Sequence, residues 1–156
     1  MKRQKGFSLI ELLIVVAIIL IIAAIAIPNL LKSKMAANES SAVGSIRTIN
    51  TGQVTYAAGC PNIGFSATLA ELNTGAICAS GTGIIDNVLS STKKSGYKFT
   101  YTPGTAVNSI VYTYTANAVP ASIGTTGQRG FYSDQSGVIR YTLDGSAPTN
   151  ASNALQ

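Results

Sequence analysis

From Leu12 to Ile27 every residue is apolar, and Phe7, Leu9 and Ile10 lead into the run. A stretch with no polar face reads as a helix that is apolar all round, suited to lipid or to the inside of a bundle. At about 1.5 Å per residue, Phe7 to Ile27 makes a helix of about 32 Å, enough to cross a hydrocarbon core of about 30 Å. The pattern changes at Pro28, which removes a backbone donor and predicts a kink or break. Asn29 to Ala37 turns polar, with Lys32 and Lys34 placed for the outer headgroups. Val43, Ile46, Ile49 or Asn50, Val54 and Ala57 then recur at three- and four-residue spacing. This predicts an amphipathic helix packing one stripe on a sheet, with Ser45, Arg47 and Thr48 on other faces. Gly44 and Gly52 each weaken it by about 1 kcal/mol relative to Ala and leave room for close packing. Gly59 and Pro61 end it.

Beyond the helix the period shortens. Phe65 to Leu72 suggests a short helix capped by Ser66, whereas Ile84 to Leu89 is undecided between strand and turn. Tyr97 to Thr102 and Ile110 to Thr115 alternate aromatic or aliphatic with polar residues, as strands do, across the turn chemistry of Pro103 to Ala106. Gly130 to Ser133 and Val138 to Thr142 suggest two more strands, joined through Asp134 to Gly137, and residues 145–156 read as a mobile tail. The expected fold class is α+β. A long N-terminal helical spine, apolar in its lower half and amphipathic in its upper half, packs on a small antiparallel β-sheet head. The expected boundaries are a leading segment 1–6, an apolar helix 7–28, an amphipathic helix 29–58, and a connecting loop, sheet and tail over 59–156.

Glu11 does not fit an ordinary membrane anchor. A carboxylate among Ile, Leu and Val costs a few kcal/mol on insertion scales and points to a function and a partner. One candidate partner is a new chain terminus. A cut between Gly6 and Phe7 would leave an α-amine on Phe7, one helical turn from Glu11 in its own chain and within reach of a neighbour's Glu11 in a packed assembly. Because an unpaired buried carboxylate is penalised, such a pair acts as a register device more than as net glue. Two simpler readings compete. A secretory signal peptide would use Ala24-Ile25-Ala26 as its small-x-small cleavage site, and a plain single-pass anchor would leave Gly6 and Glu11 unexplained.

The run Gly6-Phe7-Ser8-Leu9-Ile10-Glu11-Leu12-Leu13-Ile14-Val15-Val16-Ala17-Ile18-Ile19, followed by Ala23-Ala24-Ile25-Ala26-Ile27-Pro28, resembles the N-terminal signature of type IV pilins and their pseudopilin relatives. The resemblance covers about 25 residues and combines Gly, Phe, an intramembrane Glu and a Pro at fixed spacings. It implies that residues 1–6 are a leader removed after Gly6 by a cytoplasm-facing prepilin peptidase, which methylates the amine of Phe7. It implies that Glu11 contacts a neighbour's N-terminus during assembly, and that the helix near Pro28 loosens in the filament core. The implied partners are copies of the same chain, the peptidase and an inner-membrane assembly platform. The implied location is the inner membrane first, N-terminus inward, and an extracellular filament afterwards. A major-pilin-like subunit of a type IV pilus is the first expectation, and a pseudopilin of a type II secretion system the alternative. The head resembles pilin and pseudopilin heads only in the order helix, loop, sheet.

Charge and chemistry narrow the picture further. The formal charge is +5, but Lys2, Arg3 and Lys5 precede the apolar run, and without them eight basic and six acidic side chains leave a formal +2. The three cations favour a cytoplasmic N-terminus, and the residual balance argues against nucleic-acid binding. Lys93-Lys94 reads as a solvated face. The chain has no His, no phosphate-binding loop and no cofactor motif, so neither an enzyme nor a small-molecule binder is expected. Asp134 and Asp144 are turn residues before they are a Ca²⁺ site. Cys60 and Cys78, with 17 residues between them, read as a disulfide in an oxidising compartment, stabilising by roughly 3 kcal/mol. Two buried free thiols are the alternative, and two thiols without His fall short of a zinc set.

Overall fold

The computed structural model describes residues 6–74 and 83–155. The chain divides into two compact units, Met1–Lys34 and Met35–Gln156, and one helix, α1 (Leu9–Gly59), belongs to both. In the first unit, the large apolar side chains from Phe7 to Leu31 stand exposed on all sides of the helix. Pro28 lies inside α1, and the helix runs through it from Leu9 to Gly59 without a break. Its fixed φ suits a helix, although it lacks an N–H to donate and its ring crowds the carbonyl one turn back. In the next turn the Ser33 hydroxyl donates to the Asn29 carbonyl at 3.0 Å.

In the second unit α1 has a single buried face, made of Glu39, Ala42, Ser45, Ile46, Ile49, Gly52, Gln53 and Tyr56. The three- and four-residue rhythm is as expected, but the stripe is rotated. Val54 is exposed, whereas Ser45 and Gln53 are inside. Apolarity alone misplaces the face because the buried polar groups are matched by specific partners. Gln53 Nε2 donates to Ser66 Oγ at 2.7 Å, and the Ser66 N–H donates to Gln53 Oε1 at 3.0 Å. The Tyr101 hydroxyl then donates to the Ser66 carbonyl at 2.6 Å. Gly52 does allow close approach, since a Cβ there would meet methyls of Ile84 and Ile85 at 3.3 and 3.4 Å. Gly44 faces open space, so packing does not explain it.

Two short helices follow, α2 (Leu69–Thr74) and α3 (Asn87–Ser90). The cap of α2 is not Ser66, which Gln53 holds. Thr68 Oγ1 accepts from the Glu71 N–H at 3.3 Å, and Glu71 reaches back to the Ala67 N–H at 2.8 Å, so the capping box begins two residues later than expected. The undecided segment becomes α3, started by Asp86 accepting from the Leu89 N–H at 2.6 Å.

Among the described residues the sheet has six strands where four were expected. They are β1 (Lys93–Lys94), β2 (Tyr97–Pro103), β3 (Tyr114–Pro120), β4 (Gly130–Asp134), β5 (Arg140–Thr142) and β6 (Asn153–Ala154). They lie in chain order and pair antiparallel throughout. Tyr97 and Phe99 of β2, Ala116 and Ala118 of β3 and Phe131 of β4 form one core cluster with Ala42, Ile46 and Ile49 of α1. β3 alternates buried and half-buried positions along its length, as a strand with one core face should. The expected strand from Ile110 to Thr115 is displaced. Residues 110–113 belong to the β2–β3 connection, whose Val111 exchanges backbone bonds with Ile63 and Phe65 at 2.8 and 2.9 Å. The pattern was right in type and wrong in register, because β3 continues through small Ala residues that carry little strand signal.

The expected tail is also structured. β6 pairs with β5, and the Leu155 N–H donates to the Ile139 carbonyl at 2.7 Å. Gly130 is where the returning segment crosses β4: a Cβ there would collide with the Ser146 carbonyl. At the other edge Lys93 stands opposite Lys98, and Lys94 pairs with Asp86 at 2.7 Å. A two-residue edge strand bearing lysines resists strand addition.

Glu39 fastens the first turns of this part of α1 to the sheet. It is 7% exposed, and an unpaired carboxylate so placed would cost several kcal/mol. Its Oε1 accepts from the Gln128 and Arg129 N–H groups at 2.9 and 3.1 Å, and its Oε2 accepts from Arg129 Nε at 2.7 Å. Burial pushes its pKa up, but the Gln128 N–H and the Arg129 side chain and N–H outweigh that and hold it below the usual value of 4.5. A depressed carboxylate contributes stability above its unfolded pKa and loses it as pH falls through the folded one. Denaturant unfolding should therefore show stability declining as pH drops below about 4.5. Glu39→Gln should lower stability at pH 7 by about 1–3 kcal/mol and flatten that decline. The remaining slope comes from Asp86, Asp134 and Asp144, whose hydrogen-bonded carboxyls are also held low.

Candidate functional site

The candidate site is the start of α1. Gly6 and Phe7 precede the helix in exposed backbone, and among the described residues, chain neighbours aside, no atom lies within 4 Å of where a Cβ on Gly6 would be. None of the described residues therefore packs over the Gly6 side of the peptide bond between them. Ser8 immediately precedes the first helical residue, Leu9, and the Glu11 carboxylate accepts from the Ser8 N–H at 2.9 Å. This is half of a capping box, in which a Glu at the third helical position satisfies an orphan donor at the cap. It also places a negative charge at the positive end of the helix dipole. The spacing Ser8-x-x-Glu11 carries this signal in the sequence, but reading Glu11 only for a partner outside its own helix misses it. Glu11 has a backbone partner before any cut is made.

Around this carboxylate the surface is uniformly apolar. Leu9, Ile10, Leu12, Leu13 and Ile14 are all exposed, and the helix is long and apolar enough to cross a membrane. Pro28 lies further along the same helix and is exposed. Glu11 and Pro28 are thus placed on one element but not brought together.

Cys60 follows the end of α1 and is 5% exposed, its N–H donating to the Tyr56 carbonyl at 2.9 Å. Cys78 lies outside the described residues. Asp134 and Asp144 hold turns, accepting from the Ser136 and Ser146 N–H groups at 2.9 and 3.1 Å. Asn38 heads a glycosylation-type triplet, but its amide donates to the Thr126 carbonyl at 2.8 Å and is part of the fold.

Residues 1–27 match the family model described as the prokaryotic N-terminal methylation motif. The Type IV major pilin protein PilA of Myxococcus xanthus is 48% identical over 54 residues, covering 35% of this chain and 24% of that protein. Fimbrial protein Q of Moraxella bovis is 35% identical over 107 residues, 67% of this chain and 68% of that protein. This chain belongs to the type IV pilin family. The Type II secretion system core protein G of Dickeya chrysanthemi is also similar, at 38% over 45 residues and 29% of each chain. The chain spans about a quarter to a third of the length of the relatives it matches first. No solved structure matches the chain.

Proposed function

We propose that this pilin is a structural subunit, of the major-pilin kind, of a type IV pilus, and not an enzyme. In this reading residues 7–28 hold the precursor in the inner membrane with its N-terminus in the cytoplasm. A prepilin peptidase removes residues 1–6 and methylates Phe7. An inner-membrane assembly platform then draws copies into an extracellular helical filament. The observation that carries the reading is the all-round apolar exposure of α1 from Leu9 to Leu31 with a single carboxylate near its start. Lipid covers such a surface before assembly, and copies of the same helix cover it afterwards. Glu11 has a partner in both states. In the precursor the Ser8 N–H holds it; in the filament the Phe7 amine of an adjacent copy competes for it as a charged and therefore stronger donor.

A pseudopilin of a type II secretion system is the second reading, favoured by the similarity to core protein G. The pilus is preferred because the similarity to the fimbrial protein spans 107 residues, 67% of this chain, and so reaches into the head. We also propose that Cys60 and Cys78 form a disulfide outside the cytoplasm. The burial of Cys60 at the end of α1 supports it, because a bridge there would tie the connecting segment to the helix.

Mass spectrometry of the processed protein should show a start at Phe7 carrying one added methyl group. A retained Met1, or a start near Ile27, would refute the maturation scheme. In the same experiment both cysteines should take up an alkylating agent only after reduction. Replacing Glu11→Val should leave membrane insertion intact and reduce the yield of sheared filaments by about tenfold or more. Normal filaments from that variant would remove Glu11 from assembly. Electron microscopy of material sheared from cells separates long surface pili from a short pseudopilus.

A further inference from the structure

The lysines of the Met35–Gln156 unit all fall in one hairpin, at Lys93, Lys94 and Lys98. Lys94 is paired with the Asp86 carboxylate at 2.7 Å. Lys93 and Lys98 stand directly opposite each other across β1 and β2, both exposed, and among the described residues neither has a carboxylate within 4 Å. Like charges placed directly opposite destabilise a strand pair. Protection of the sheet edge accounts for the lysines of β1, but not for Lys98, whose strand is paired on both sides. The hairpin and Ala121 line an open cleft of about 380 Å³.

The hairpin sits at the end of the unit where α1 enters it. The Ser41 hydroxyl donates to Ser95 Oγ at 2.9 Å, and the Asn38 amide donates to the Thr126 carbonyl at 2.8 Å. A Cβ on Gly96 would lie 2.9 Å from Thr126 Cβ, so the turn and the β3–β4 connection flank the helix together. Leu31 ends the exposed apolar run, and Asn38 follows it by about 10 Å at the helical rise. A headgroup layer is about 5–7 Å deep on each side of the hydrocarbon, and its field extends a Debye length of about 8 Å beyond. The carboxylates at this end are engaged or distant. Glu39 is taken by Arg129 and Asp86 by Lys94, while Asp144 follows β5, three strands from β2 and so about 14 Å away.

Three lysines make a weak site for a free polyanion, because nucleic acids are held through many phosphates at once. They suffice for a surface to which the chain is already tethered. Once residues 7–28 lie in a bilayer, contact between head and lipid is intramolecular, and its effective concentration is set by a tether of a few residues. Each lysine near an anionic surface then favours contact by about fivefold.

We propose that in the membrane-held precursor Lys93, Lys94 and Lys98 rest the head on anionic phospholipid headgroups of the leaflet it faces. This rests on the membrane reading of residues 7–28 given above and names the surface that the head meets there. The lipid phosphates answer the opposed charges of Lys93 and Lys98, which the fold leaves without a counter-charge. The contact holds the β1–β2 turn and the loop around Thr126 against the bilayer, and it is given up when the subunit leaves for the filament.

The test uses the full chain in vesicles of phosphatidylcholine, with or without phosphatidylglycerol, and a nitroxide quencher on the lipid headgroups. Thr125→Cys, exposed beside the hairpin, carries a fluorophore, and Thr105→Cys, exposed in the β2–β3 connection, carries the control label. The first label should be strongly quenched in anionic vesicles and the control label unquenched. Quenching of the first should fall several-fold in phosphatidylcholine alone, or when salt shortens the Debye length to about 3 Å. Lys98→Gln should weaken the contact equilibrium by about fivefold, and Lys93→Gln with Lys98→Gln by about thirtyfold. Thermal unfolding of the double variant should be unchanged or raised, because an opposed pair of charges is gone. Equal quenching in both lipids, or no loss in the double variant, would overturn the proposal. So would lysine-dependent binding of an added oligonucleotide by a chain whose first label stays unquenched, which assigns the patch to nucleic acid. If alkaline extraction strips the wild-type chain from the vesicles, the membrane reading fails and this contact with it. A chain that stays inserted while the first label stays unquenched removes the contact alone.

Discussion

Around twenty consecutive residues whose apolar side chains all face outward impose the constraint on which everything else in this chain depends. Buried apolar surface is worth roughly 25 cal/mol per Å², so a helix of this kind does not remain in water. It rests in lipid or against other helices of like character. The rest of the chain can then be a modest domain with one core and little charge, because it does not have to supply that cover itself. The single ionisable group in the run is bound to its own helix start, through the Ser8 N–H, and this makes a carboxylate tolerable among Ile and Leu. Cap and anchor are thus the same few residues.

In the second unit the same helix obeys a different solvent. One face packs on the sheet and the other meets water, and the polar residues inside are those with defined partners. Glu39 has three donors from the Gln128–Arg129 segment. Asn50 is held by Ser133 and Tyr114 at 2.8 and 3.0 Å, and Gln53 by Ser66. These three contacts, spaced along the helix, fix its rotation on the sheet more closely than Ile46 and Ile49 can, because apolar packing has no direction and hydrogen bonds do. The guanidinium of Arg129 also lies over the Phe131 and Tyr141 rings, at 5.6 and 5.9 Å. The charge pair is therefore joined to the aromatic core.

The long helix and the presence of an antiparallel sheet are legible in the sequence because they rest on extended periodicity and on unambiguous stops at Gly59 and Pro61. What escapes is decided by individual partners. Ser45 and Gln53 look like surface residues until Ser66 and the sheet are placed opposite them. The C-terminal segment, rich in Ser and Asn, reads as disordered because its order comes from pairing with β5 and from crossing β4 at Gly130, neither of which is local. Residues 110–113 look like a strand, yet the strand falls to Tyr114–Pro120, where alanines fit beneath the helix. At the N-terminus the sequence marks Glu11 by its cost, while its actual partner, one turn back, follows from a spacing too short to stand out within an apolar run.

The order of the strands has a consequence for when the domain can form. Each strand pairs with its neighbour in sequence, so the sheet can assemble progressively, hairpin by hairpin. The bonds that tie α1 to it do not share that locality: Asn38 to Thr126, Glu39 to Arg129 and Asn50 to Ser133 join residues 88, 90 and 83 positions apart. Closing such wide loops is the slow part of folding. In the membrane-held precursor proposed above, the head portion of α1 would wait without its partners until residues 126–133 had crossed. On that reading the interval before the head closes would be set by translocation of most of the chain, and throughout it Ile46, Ile49 and Tyr56 would be uncovered.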